Sequence, residues 1–255
     1  MPTKYAEGET VFVPAARLGD AGRAPYALVP RKILGFEDRS AIVNDLDNEP
    51  TKVAVRHLHP GSLGFMLLRI GDLRTEQTLL DPLAKSMLHF LRLLLPDNDV
   101  HTLSVRTLPE LVQWWSVNAS AISHVILIGH GTPDSIQFVE PRASVTGRQL
   151  GISLGNAKPG CSPKVFISLS CHTGKTAFAR EFSRTRVCRE LVAPLRSVHG
   201  AGASQYAQTL LTHHLLEAVG FAAAHRRAVA ASVNGSRFRR WRDGHHEDPI
   251  SEALW

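Results

Sequence analysis

The sequence predicts an α/β fold, a mostly parallel sheet with helices on both faces, preceded by a small β-barrel. Three observations carry this. Two apolar runs, 124–128 and 164–169, have the length and the Val, Ile, Leu and Phe content of strands buried on both faces. From Gly64 onward such runs alternate with segments of helical period, the pattern of parallel strands joined by crossover helices. Before Gly64 there are only short β-prone runs separated by turn residues, which fits a barrel or meander.

In the N-terminal module (1–60), Gly8 to Pro14 reads as a short strand after a turn. Tyr26 to Phe36, Ser40 to Asn44 and Thr51 to Val55 are further short strands. Gly19-Asp20, Glu37-Asp38 and Asp45 to Pro50 supply the turns. His57 to Gly61 reads as a linker. The second domain (61–235) opens with an apolar strand, Gly64 to Ile70. Leu79 to Leu95 repeats leucine and methionine close to a period of 3.6 and so reads as an amphipathic helix, ended by Pro96. Val100 to Val105 is a strand, and Leu108 to Asn118 a helix with Pro109 in its first turn. After the 124–128 strand come a short strand at Ile136 to Val139 and a helix over Thr146 to Leu154. The 164–169 strand leads to a helix over Lys175 to Thr185 and a strand at Glu190 to Pro194. Helices over Ala203 to Val219 and Phe221 to Ser232, broken at Gly220, follow. Residues 236–255 read as a basic C-terminal tail.

Composition is that of an ordinary globular chain: 255 residues, 44% hydrophobic and 20% charged. The apolar stretch near Leu88 to Leu95 is interrupted by His89 and Arg92 and falls far short of the ~18 residues of a membrane span. The N-terminus lacks the apolar core of a secretory signal. Three scattered cysteines make no disulfide framework, so a reducing, cytoplasmic setting is expected. The formal charge of +6 concentrates at Arg180 to Arg189, with four arginines, and Arg226 to Arg242, with six. A basic surface is compatible with nucleic acid, but no nucleic-acid motif accompanies it. Solvated helix faces and a tail are the favoured explanation.

Both buried runs end in a reactive side chain. The first closes as Ile128-Gly129-His130-Gly131, the second as Ser168-Leu169-Ser170-Cys171-His172-Thr173-Gly174. The C-terminal edge of a parallel sheet is where such folds place their chemistry, so His130 and Cys171 are expected side by side on one rim. Taken singly, a cysteine in an apolar strand is core packing and a histidine after a strand is structural. Together at two strand ends they are the minimum apparatus of nucleophilic cysteine catalysis. Cys161, in a Pro-Gly loop, and Cys188, among arginines, have no such partner. An α/β-hydrolase would place its nucleophile before the histidine, in G-x-S-x-G. The pairs His213-His214 and His245-His246 each point to two sides, and no Cys-x-x-Cys exists, so no metal site is expected. Gly200-Ala201-Gly202-Ala203 lacks the Lys-Ser/Thr of a phosphate loop. No cofactor is expected.

These two blocks resemble the caspase-like cysteine peptidases, and within them the CHAT group related to caspases and separases. The resemblance covers 64 to about 232 and includes Asp134-Ser135-Ile136 after the histidine, and Tyr206 to Gly220 downstream. Where caspases carry Gln-Ala-Cys, this chain has Leu169-Ser170-Cys171. The N-terminal module is similar to a Src-homology-3-like barrel in its order of short strands. The resemblance implies a cysteine endopeptidase acting on a protein partner, with Cys171 as nucleophile and His130 as general acid. It implies an oxyanion hole from the backbone N–H groups of Gly131 and Cys171, and a role in a bacterial regulatory or self-destruct defence system. With only 172–189 between the cysteine strand and the next, a single-chain enzyme is expected, controlled through a partner docked on the N-terminal barrel. A catalytically silent scaffold of the same fold is the alternative. For the substrate residue before the cut, Asp72 and Asp134 on the rim favour a basic side chain. Arg74 in the same loop as Asp72 would favour an acidic one.

Overall fold

The computed structural model of the chain describes residues 4–71, 80–139, 144–233 and 235–246. The N-terminal module has six strands: β1 (Thr10–Pro14), β2 (Leu28–Lys32), β3 (Gly35–Glu37), β4 (Ser40–Asn44), β5 (Pro50–Ala54) and β6 (His59–Pro60). They form two three-stranded antiparallel sheets, ordered β2-β1-β6 and β3-β4-β5. Alternating side chains of β1, Val11 and Val13, enter a core of their own with Val29, Ile33, Ala41, Val43 and Val53. Phe12, pointing the other way, joins the core of the second domain. The segment expected to be a linker is structural. Val55–His57 makes a 3₁₀ turn, and β6 adds an edge to β1 by pairing Phe12 with His59.

The second domain follows the expected alternation of strands and helices, with β11, β14 and β15 added. It comprises β7 (Phe65–Ile70), α1 (Leu80–Leu94), β8 (Val100–Val105), α2 (Leu108–Asn118), β9 (His124–Ile128), β10 (Ser135–Gln137), β11 (Ser144–Thr146), α3 (Gly147–Ala157), β12 (Lys164–Ser168), α4 (Thr176–Ser183), β13 (Cys188–Pro194), α5 (Gly200–Leu211), α6 (Phe221–Ala231), β14 (Phe238–Arg242) and β15 (His245–His246). Helix starts follow local chemistry. Thr107 and Thr146 cap α2 and α3, each in a reciprocal capping box with Glu110 or Gln149. The long helix expected over 203–219 stops at Leu211. A π turn, Thr212–Leu216, follows, with the Glu217 N–H reaching the Thr212 carbonyl.

The central sheet has seven strands in the order β15-β14-β13-β12-β9-β7-β8, and the five from β13 to β8 are parallel. The period of two divides each strand between two cores. Phe65, Leu67, Ile126, Ile128, Val165 and Ile167 face α1, α5 and α6. Met66, Leu68, Val125, Leu127 and Phe166 face α2, α3 and α4. Each of these fully buried apolar side chains contributes about 1.5–3 kcal/mol of transfer free energy, which explains why the runs lack polar interruptions.

The reading of 236–255 as a tail is corrected for the residues described. β14 pairs antiparallel with β13, Leu191 opposite Trp241. Its arginines hid it: Arg240 is buried, and Glu190 on β13 is buried beside it. Arg240 NH2 donates to Glu190 Oε1 at 3.0 Å, and Nε lies 2.9 Å from Oε2. Among the described residues no helix is long and apolar enough to cross a membrane.

Candidate active site

The two strand ends meet. β9 and β12 are hydrogen-bonded neighbours, Leu127 opposite Ser168, and Leu169 N–H donates to the Leu127 carbonyl at 2.8 Å. The chain then diverges into two turns, one carrying His130 and Gly131, the other Cys171. The turns touch: a Cβ built on Gly131 would lie 2.4 Å from the Cys171 carbonyl oxygen, 2.7 Å from Thr173 Cγ2 and 3.3 Å from Ser170 Cβ. Glycine is required here by close approach.

The His130 turn folds back on itself through β10. The Gln137 N–H donates to the His130 carbonyl, and the Thr132 N–H to the Ser135 carbonyl, both at 2.9 Å. Between these bonds Gly131 faces Ile136 as an antiparallel bridge. A residue in that register turns its own N–H and C=O away from its partner strand. Thus the Gly131 N–H is directed away from Ile136. The His130 side chain is exposed. Asp134 sits in the same turn, its Oδ1 accepting from the Thr132 hydroxyl at 2.6 Å. That bond holds its carboxyl below the usual range. Asp72 and Arg74, the other residues proposed for substrate contact, lie outside the described residues.

The Cys171 turn is fixed by a closed ring of three hydrogen bonds in the interior. The Ser170 N–H reaches Ser168 Oγ at 3.3 Å, the Ser168 and Thr173 hydroxyls lie 2.7 Å apart, and the Thr173 hydroxyl donates to the Ser170 carbonyl at 2.8 Å. Next to Cys171, His172 has a left-handed backbone (φ 64°). Such a conformation costs a non-glycine residue about 1–3 kcal/mol and persists only where the surroundings impose it. Here they do. The His172 N–H reaches the Arg196 carbonyl (3.5 Å), its Nε2 meets Ser197 Oγ (3.1 Å), and the Gly174 N–H donates to the Pro194 carbonyl (2.8 Å). Gly174 is packed so tightly on β13 that a Cβ would fall 2.3 Å from the Ala193 oxygen. The Trp241 indole N–H of β14 donates to the Gly174 carbonyl at 3.0 Å.

The 195–199 segment, between β13 and α5, completes the rim. Cys171 Sγ, half-buried, lies 3.9 Å from the Val198 carbonyl oxygen, within reach of a weak S–H···O contact. Arg237 NH1 donates to the Ser197 carbonyl at 2.6 Å, tying this segment to the lead-in of β14. Sequence reasoning missed 195–199 and Arg237, since their contacts run through backbone carbonyls. It also missed His172, whose position beside Cys171 was a signal.

The other thiols are different. Burial, then Glu190, pushes the Cys188 thiol well up, so it stays protonated. Cys161 packs against the core on the α2, α3 and α4 side. Among the described residues no group of three His, Cys, Asp or Glu could hold a metal ion.

Fold and rim together define a mixed α/β protein with a cysteine and a histidine on adjoining strand ends of a mostly parallel sheet. No protein-family model matches the chain, and no curated protein is significantly similar to it.

Proposed function

We propose that this chain is a cysteine endopeptidase of the caspase-like, CHAT-type class, acting on a protein substrate. One observation carries the reading: Gly131, next to the histidine, lies in contact with the backbone of Cys171, the nucleophile candidate, at neighbouring parallel strand ends. In the reaction, Cys171 gives up its proton to His130 and the thiolate attacks the scissile carbonyl carbon. A C–S bond forms, and the carbonyl oxygen takes the negative charge. The Gly131 N–H, turned away from Ile136, and the Cys171 N–H are the donors for that oxyanion. His130 protonates the departing amine as the C–N bond breaks. Water then cleaves the thioester and returns the thiol.

The supports are of three kinds: the shared rim, the rigid turn that holds Cys171, and a histidine exposed where substrate enters. The 169–187 segment between β12 and β13 holds only turns and α4, which favours an enzyme working as one chain. Its control would lie elsewhere, the N-terminal module being the candidate docking surface. The test is a panel of fluorogenic peptides varying the residue before the cut, read with wild type, Cys171→Ala and His130→Ala. Both variants are expected to fold and to lose at least about 10³-fold in kcat/KM. Unchanged cleavage by a folded Cys171→Ala protein would overturn the reading. A wild type that binds partners and cleaves none of the panel would favour a scaffold.

A further inference from the structure

At the opposite edge of the sheet from Cys171 lies a cavity of about 330 Å³ between the N-terminal module and the second domain. Lys4, Arg56 and His59 reach it from the module, and His124, Arg189 and His214 from the start of β9, the start of β13 and the π turn. The three rings cluster: the His124 and His214 centroids are 5.9 Å apart and those of His59 and His214 6.4 Å. The cluster is not arranged as a metal site. His59 Nε2 is bound to the Leu215 carbonyl (2.8 Å) and His214 Nδ1 to the Val219 carbonyl (3.0 Å).

The cavity is cationic without compensation. Its lining contains no Asp or Glu. Among the described residues no carboxylate pairs with Lys4, Arg56 or Arg189. His124 is 3% exposed, and its Nε2 has no hydrogen-bond partner. An orphaned buried polar atom is costly, about 1–3 kcal/mol, unless a ligand satisfies it. Positive charges collected from two modules around a buried imidazole whose unbonded Nε2 can carry the proton and donate are the arrangement that takes up a polyanion.

We propose that this cavity binds a small phosphoryl-bearing anion that bridges the N-terminal module and the sheet. A single carboxylate would neutralise one of three fixed cations, whereas a diphosphate-like group can face all three. The volume is at the lower end of small-molecule pockets, enough for a nucleotide-sized or smaller ligand.

The test is calorimetric titration of the full chain with inorganic pyrophosphate, and separately with citrate, at matched ionic strength. Saturable pyrophosphate binding is expected, with citrate weaker. Arg56→Gln and Arg189→Gln, both at exposed positions, should each weaken it by about tenfold or more. Arg148→Gln, in a separate basic cleft between α3 and α4, should leave it unchanged. No saturable pyrophosphate binding would overturn the proposal. So would a Kd indifferent to both cavity variants, one equally sensitive to Arg148→Gln, or citrate binding as tightly.

Discussion

Acid should destabilise this fold through histidines that the structure keeps neutral, and His59 gives the clearest magnitude. Burial, the first cause, pushes its pKa down to about 4, against an ordinary value of 6.5. The neighbouring His214, His57 and Lys4 add to the depression, while the bond to the Leu215 carbonyl opposes it. The native imidazole therefore binds its proton more weakly than the unfolded one. Stability from this group is fully present above about pH 6.5 and is lost as pH falls towards 4, because the unfolded chain takes up a proton first. The difference between about 4 in the fold and 6.5 in the unfolded chain corresponds to about 3 kcal/mol. His124 and His214, depressed mainly by burial, act in the same direction. The assay is urea unfolding at steps from about pH 7.5 down to about pH 4, on wild type and His59→Gln. Glutamine removes the titration and keeps a donor for Leu215. Carboxylates titrate alike in both proteins, so the difference isolates His59. The variant should lose about 3 kcal/mol less than wild type across that range. Parallel curves would refute the reasoning.

Two further outcomes test the supports of the rim and the sheet. Thr173→Val breaks the ring under Cys171 and strands the Ser170 carbonyl and Ser168 hydroxyl in the interior. It should cost about 1–3 kcal/mol in unfolding free energy and lower peptidase kcat more than KM. Glu190→Ala removes the buried carboxylate that pairs with the Arg240 guanidinium and should cost about 3–5 kcal/mol, read as a fall in the urea midpoint; a change within about 0.5 kcal/mol would mean that the pair does not hold β14 against β13 as described.

The order of strands and helices could be read from sequence because the strands of a parallel sheet are apolar on both faces. Phe65 to Leu68 and Val165 to Ile167 carry that signal without help from distant residues. That the strand ends preceding His130 and Cys171 adjoin followed from the same logic, as neighbours in one parallel sheet. What escaped notice depends on pairs far apart in the chain. Arg240 reads as surface until Glu190 is placed beside it. His59, His124 and His214 look unrelated until the module docks on the sheet. The 195–199 segment acts through the carbonyls of Arg196 and Val198, and no side-chain pattern announces a carbonyl. Asp134 was readable as a rim carboxylate, whereas its bond to Thr132 is a local turn contact that spacing alone does not announce.

The central claim is that Cys171 is a nucleophile served by His130. The most direct measurement is the labelling rate of each cysteine by a small thiol-directed electrophile, resolved by mass spectrometry, in wild type and His130→Ala. The account predicts that Cys171 labels fastest, well ahead of half-buried Cys161, while buried Cys188 hardly reacts. It predicts that His130→Ala slows Cys171 alone. Slow, equal labelling of Cys171 and Cys161, unaffected by His130→Ala, would contradict it and leave the fold as a binding scaffold.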